Sequence, residues 1–149
     1  MRKILLILAL FPCTIFSQIS IDPNPFEVNE SVTITVDINS NDTNCNSISN
    51  PDSVYMHAGI GDDSSPWGYS VVGNWGQDDG VGQMTDNGNG IWSITIVPED
   101  YFGLNSSQAS SATSMGMVFR NEDGTQELKD QGCSDFFINV GAFQVELIN

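Results

Sequence analysis

Positive charge is what this 149-residue chain has least of: four lysines and arginines stand against nineteen aspartates and glutamates. Arg2 and Lys3 are two of those four, so beyond residue 17 only Arg120 and Lys129 face all nineteen acids, a formal charge of −17. A chain so acidic repels phosphate backbones and anionic lipid heads, which excludes nucleic acid and membrane surfaces as natural partners. A neutral polysaccharide is indifferent to that field. Histidine is almost as scarce, with His57 alone. The chain also lacks a G-x-S-x-G elbow, a P-loop, an H-E-x-x-H and a G-x-G-x-x-G. Beyond the leading apolar stretch, which holds Cys13, two cysteines and one histidine remain, too few for the usual four-ligand zinc site. No metal centre and no catalytic residue is therefore assigned.

Long hydrophobic runs are missing too. The longest, Ile4 to Phe11, follows the basic start Met1-Arg2-Lys3 and precedes Pro12, Cys13 and the small residue Ser17. It is too short to span a membrane, which takes about twenty apolar residues, and it reads as a secretory signal peptide cut after Ser17. Cys13 is not read as a lipidation site, because Pro12 stands where such processing wants a small residue. The expected organisation is a leader over residues 1–17 and one domain over residues 18–149, in a secreted or cell-surface protein. The two cysteines left in that domain, Cys45 and Cys133, are expected to form a disulfide. The ending at Glu146-Leu147-Ile148-Asn149 suggests an N-terminal piece of a longer protein, with a catalytic domain downstream as one option.

Helical periodicity is the third absence. Apolar residues recur with a period of two: Val32, Ile34, Val36 and Ile38 in Ser31–Ile38, and Trp92, Ile94 and Ile96 in Ile91–Val97. Ser53–Ile60, Met115–Asn121, Ser134–Val140 and Phe143–Ile148 are further candidates, separated by turn clusters such as Asp86-Asn87-Gly88-Asn89-Gly90. Pro98–Phe102 and Asn105–Thr113 each suit at most a turn or two of helix. Many short strands between turn signals point to an all-β, two-sheet antiparallel sandwich.

The stretch from Asp62 to Met84 reads as a loop rich in glycine and acid, yet it holds Trp67, Tyr69 and Trp75. Leaving an aromatic side chain exposed forgoes about 1.5–3 kcal/mol of burial. Such residues on a loop therefore suggest a ligand face, with Trp67 the more exposed of the two tryptophans. Indole suits the C–H faces of a pyranose, and acid and amide oxygens suit its hydroxyls. The competing reading folds the tryptophans inward over a sheet edge. Trp92 alternates inward as core, and His57 reads as a structural or surface residue. Asp62-Asp63 and Asp78-Asp79 leave open a calcium site and a glycosidase acid pair, although their spacing matches no EF-hand loop.

The runs VYMHAGIG, NWGQDDGVGQM, GIWSITIVPEDYF and GMVFRNEDGTQELKDQGCSDFFINVG together resemble the N-terminal starch-binding modules of bacterial secreted α-amylases and related glycan-capturing proteins. They are similar to carbohydrate-binding module family 26. The resemblance spans roughly Val54 to Phe143. It implies an immunoglobulin-like antiparallel β-sandwich of about seven to nine strands with little helix, and a non-catalytic binder of starch-like α-1,4-glucan. It further implies Trp67, Tyr69 and Trp75 for stacking on glucose rings, with Asp78 and Gln83 for hydroxyls. Two other functions fit the same residues: an adhesion or spacer sandwich that binds no sugar, and the leading module of a secreted α-amylase.

Overall fold

A computed structural model describes residues 18–40, 45 and 47–141. The expected leader and the strand read at Phe143–Ile148 lie outside the described residues. Among the described residues nine strands form two antiparallel sheets. The first sheet holds β1 (Ile19–Asp22), β2 (Val32–Asp37), β6 (Ile91–Ile96) and β5 (Thr85–Asp86), in the order β1-β2-β6-β5. The second holds β4 (Ser65–Val72), β3 (Val54–Asp62) and β7 (Ser114–Asn121), with β8 (Glu127–Leu128) and β9 (Phe136–Asn139) both paired to the free edge of β7. This is the A-B-E-D against C′-C-F-G arrangement of an immunoglobulin-like sandwich.

The period-two pattern explains the core. Val32, Ile34 and Val36 of β2 are fully buried, and across the sheet Ile34 pairs with Ile94 and Val36 with Trp92. Thr33 and Thr35 face the other way, and the Thr33 hydroxyl lies 2.9 Å from that of Thr95. From the second sheet, Val54, Met56, Ala58 and Ile60 of β3 and Met115, Met117 and Phe119 of β7 fill the same interior. Trp92 belongs to this core, as its alternation foretold.

The two short helices follow their local signals. Helix α1 (Pro98–Phe102) starts on proline with Glu99 and Asp100 in its first turn, and it ends at Gly103 in the left-handed region. Helix α2 (Ser106–Ser111) is capped by Asn105, whose side chain accepts from the Ser107 and Gln108 amides while the Gln108 side chain accepts from the Asn105 amide.

One expectation is corrected. The stretch from Asp62 onward is not all loop, since Ser65–Val72 forms β4, the edge strand beside β3. Every residue of β4 is exposed or half-buried. Trp67, Tyr69 and Val71 alternate with Gly68 and Ser70, a period-two signal, but the glycines and acids on either side carry the signature of a loop.

Cys45 and Cys133 are joined, as expected. The bond ties the β2–β3 connection to the 3-10 turn Gln131–Cys133 and spans 88 positions. Closing a loop that long removes unfolded-state entropy worth about 4–5 kcal/mol in the chain-entropy model. The Cys45→Ser/Cys133→Ser double variant is expected to melt about 10 °C lower in a calorimetric scan. An unchanged Tm would mean that the unfolded chain is already constrained there.

Candidate functional site: an aromatic row on the outer face of the second sheet

Every residue of β7 is buried, including those facing away from the core. The outward residues of β3 and β7 pair as Tyr55 with Arg120, His57 with Val118 and Gly59 with Gly116. Two segments cover them: the β3–β4 hairpin and the loop from Gly73 to Gln83.

The hairpin brings Trp67 down flat on the sheet. A methyl group at Gly116 would lie 2.5 Å from Trp67 Nε1 and 2.7 Å from Cε2, and one at Gly59 would overlap the other end of the indole. Glycine at both positions clears the width of one aromatic ring, which no β-branched strand residue would allow. Phe137 of β9, paired with Gly116, borders the same clearing.

The loop is fastened by Arg120, whose side chain is fully buried. Its Nη2 donates to the carbonyls of Asn74 and Gln77 at 2.8 and 2.9 Å, and its Nη1 to those of Asn121 and Glu122 at 2.9 and 3.1 Å. The guanidinium carbon stands 4.3 Å from the centroid of the Tyr55 ring, a cation–π contact. The Tyr55 hydroxyl in turn donates to Asp78. Burial pushes the Arg120 pKa below the usual arginine value, against the pull of Tyr55, Asp79 and Asp78. Asp79 accepts from the Asn74 amide at 2.7 Å and from the Val81 backbone, and both bonds hold its carboxyl below the ordinary carboxylate range.

Held in this way, the loop sets Trp75 beside His57. The imidazole is the shared neighbour of both indoles, nearly parallel to Trp67 at 29° and 5.8 Å, and edge-on to Trp75 at 87° and 5.5 Å. The two indole planes therefore lean at least 58° apart (87° less 29°). Nδ1 of His57 is buried against the Gly73 backbone without a well-formed hydrogen bond. Burial pushes the pKa of His57 below its ordinary value and the charge of Arg120 adds to this, while the Gly73 backbone and Asp135 pull the other way.

Among the described residues the large apolar side chains left exposed are Val71, Trp75, Val81 and Phe137, Trp75 at 44% and Phe137 at 51%. Val71 pairs with Gly59 and so shares the outer face, while Val81 belongs to the loop, where its amide bonds Asp79. Val71, Trp75 and Phe137 thus border Trp67 and His57. An apolar patch kept exposed and held in place by a buried network is a candidate binding surface. Beyond Phe137 the face runs into an open groove of about 480 Å³, which Asn24, Asp63 and Asn139 also line.

Of the five residues read as a sugar site, the fold brings Trp67 and Trp75 together around His57. Their order of exposure is the reverse of the expectation, since Trp67 is half-buried on the sheet and Trp75 stands exposed. Asp78 and Gln83 lie at the Tyr55 end of the face. One oxygen of Asp78 is taken by Tyr55, and Gln83 bonds the Ser53 hydroxyl at 3.1 Å. Tyr69 is corrected: it packs against the core, and its hydroxyl donates to Asp62 at 3.1 Å. The bulge between Ile60 and Asp62 shifts the register there and breaks the alternation that Trp67 and Tyr69 would otherwise share. Phe137, His57 and Val71 were not singled out as site residues. The alternation of Phe136 inward and Phe137 outward was a signal that could have found the first.

Asp62 accepts from the Ser64 and Ser65 amides and the Ser64 hydroxyl, which closes the β3–β4 turn. These bonds and that from Tyr69 hold its carboxyl below the ordinary range. Asp63 accepts from the Thr113 hydroxyl at 2.7 Å. Among the described residues no three His, Cys, Asp or Glu side chains gather as a metal site, and no helix is long and apolar enough to cross a membrane.

The fold and this face define an all-β, immunoglobulin-like sandwich module with a built aromatic surface. The chain belongs to the family described as Domain of unknown function (DUF8578), whose profile matches residues 19–128. A search of the curated proteins finds no match.

Gly116→Ala sets a carbon against the Trp67 ring, and overpacking of this kind costs about 1–3 kcal/mol. Urea unfolding should show that loss of stability, with a red-shifted tryptophan emission as the indole is lifted into water. A Gly116→Ala variant as stable as the wild type would mean that Trp67 does not lie on the sheet.

Proposed function

We propose that this chain is a non-catalytic carbohydrate-binding module of an exported protein, and that the outer face of the second sheet holds a starch-like α-glucan. The reading is carried by one observation: two tryptophans from different segments meet around His57 on a face that keeps Trp75, Phe137 and Val71 exposed. Indole and phenyl faces supply the apolar half of a pyranose contact. The free oxygen of Asp78 and the groove side chains Asn24 and Asn139 are available to hydroxyls.

The lean between the indoles favours one glycan shape. A flat, ribbon-like β-1,4 chain can lie on only one of two planes set at least 58° apart. A curved α-1,4 chain turns its successive rings and can meet both. The acidic surface fits an uncharged ligand, since it adds neither attraction nor repulsion. Export agrees with the apolar start of the chain and the disulfide.

Affinity should be modest. A disaccharide of about 23 heavy atoms at roughly −0.3 kcal/mol per atom reaches a Kd near 10 μM at best, so the module suits a tethered role beside an enzyme or on a cell surface. Calorimetry with maltoheptaose, cellohexaose and xylohexaose is the direct test. Maltoheptaose is expected to bind best, and Trp75→Ala to weaken it about tenfold or more with the fold intact. A folded protein that binds no α-glucan would sink the reading in favour of a spacer or adhesion domain.

A further inference from the structure

Resting on the glycan reading of this face, we infer that His57 is its positioning residue: neutral, it sets the two indoles for the sugar, and on taking a proton it lets them part. Among the described residues it is the one side chain in ring contact with both tryptophans, and it ties Trp67, from the β3–β4 hairpin, to Trp75, from the loop. Trp75 lies only two residues beyond Gly73, whose backbone stands beside Nδ1. Gly73 has φ +115, where a side chain would be strained, and a Cβ there would meet Nδ1 at 2.8 Å, so only glycine lets the chain pass this close to the ring.

A protonated imidazole must find acceptors for both N–H groups. Nδ1 is buried and has no well-formed partner, and the Gly73 backbone beside it favours the charged ring without completing a bond as the ring stands. The charged ring therefore has to shift to be satisfied, and the Trp67 and Trp75 rings packed against it shift with it. The charged groups around it come from each neighbouring element. Arg120 on β7 opposes a second cation, and Asp135 ahead of β9 favours one. Asp78 and Asp79 on the loop are engaged by Tyr55 and by Asn74. Burial is the largest influence, and it disfavours the charged form. The folded protein therefore takes up its proton at lower pH than the unfolded chain, so stability and binding are full above the ordinary histidine value of about 6.5 and are lost as pH falls through the lowered folded value.

Because His57 is the sole histidine, a single imidazole resonance reports its titration. NMR is expected to place the midpoint below about 6.5, and tryptophan emission should change with that same midpoint. Maltoheptaose affinity should fall about fivefold or more from pH 7.5 to pH 5 in parallel. His57→Phe keeps a ring between the indoles but carries no proton, so it should abolish the pH step, whereas His57→Ala should lower affinity at every pH. An imidazole that titrates without any change in emission would overturn the inference, as would a pH step of equal size in His57→Phe. If imidazole and emission titrate together but maltoheptaose binds at no pH, the positioning role stands and the glycan reading alone falls.

Discussion

One buried cation organises the outer face of this sandwich. Arg120 has no solvent contact, and its charge is met by four backbone carbonyls, the face of Tyr55 and two nearby aspartates in place of one paired carboxylate. Carbonyls can satisfy a guanidinium only if the chain bearing them is bent to point inward. The Asn74 and Gln77 carbonyls are therefore held in a fixed turn, and Trp75 lies between them. Burying the charge without these partners would cost several kcal/mol, so the loop cannot swing away while the cation remains buried. Rigidity of the aromatic face thus comes from a polar network under it and not from the hydrophobic core.

On that base the aromatic row is assembled from four segments: Trp67 from the β3–β4 hairpin, His57 from β3, Trp75 from the loop and Phe137 from β9. Three separate causes fix them. Gly59 and Gly116 open a flat bed for Trp67, Arg120 anchors Trp75, and strand pairing fixes His57 and Phe137. A surface set in advance loses little conformational entropy on meeting a ligand. That matters for the sugar proposed as its ligand, whose shallow and well-hydrated contacts leave little free energy to spare.

Much of the fold was legible in the chain. Strands β2, β3, β6, β7 and β9 follow from alternation, because each sets one apolar face on a shared core and the period of two is then forced on the residues. Strands β5 and β8 are two residues long, too short for any period to register, and β1 offers only Ile19 and Ile21 in four residues. Edge strand β4 escaped although Trp67, Tyr69 and Val71 alternate with Gly68 and Ser70, because the glycines and acids around it read as loop. The candidate face was legible only in outline. Trp67 and Trp75 stood out as aromatics among glycine and acid, but the same argument drew in Tyr69, which a bulge turns onto the core.

By itself the sequence determined the acidic character, the two-sheet pattern, the inward place of Trp92 and the two cysteines able to pair. All of these depend on composition or on spacing within one segment. Only the tertiary structure decided that His57 stands between two tryptophans ten and eighteen residues away, that Phe137 joins them from the far end of the chain, and that Arg120 is a buried anchor. Those facts depend on the register of β3 against β7 and of β7 against β9. Register is set by how the whole core packs, and no single segment carries it.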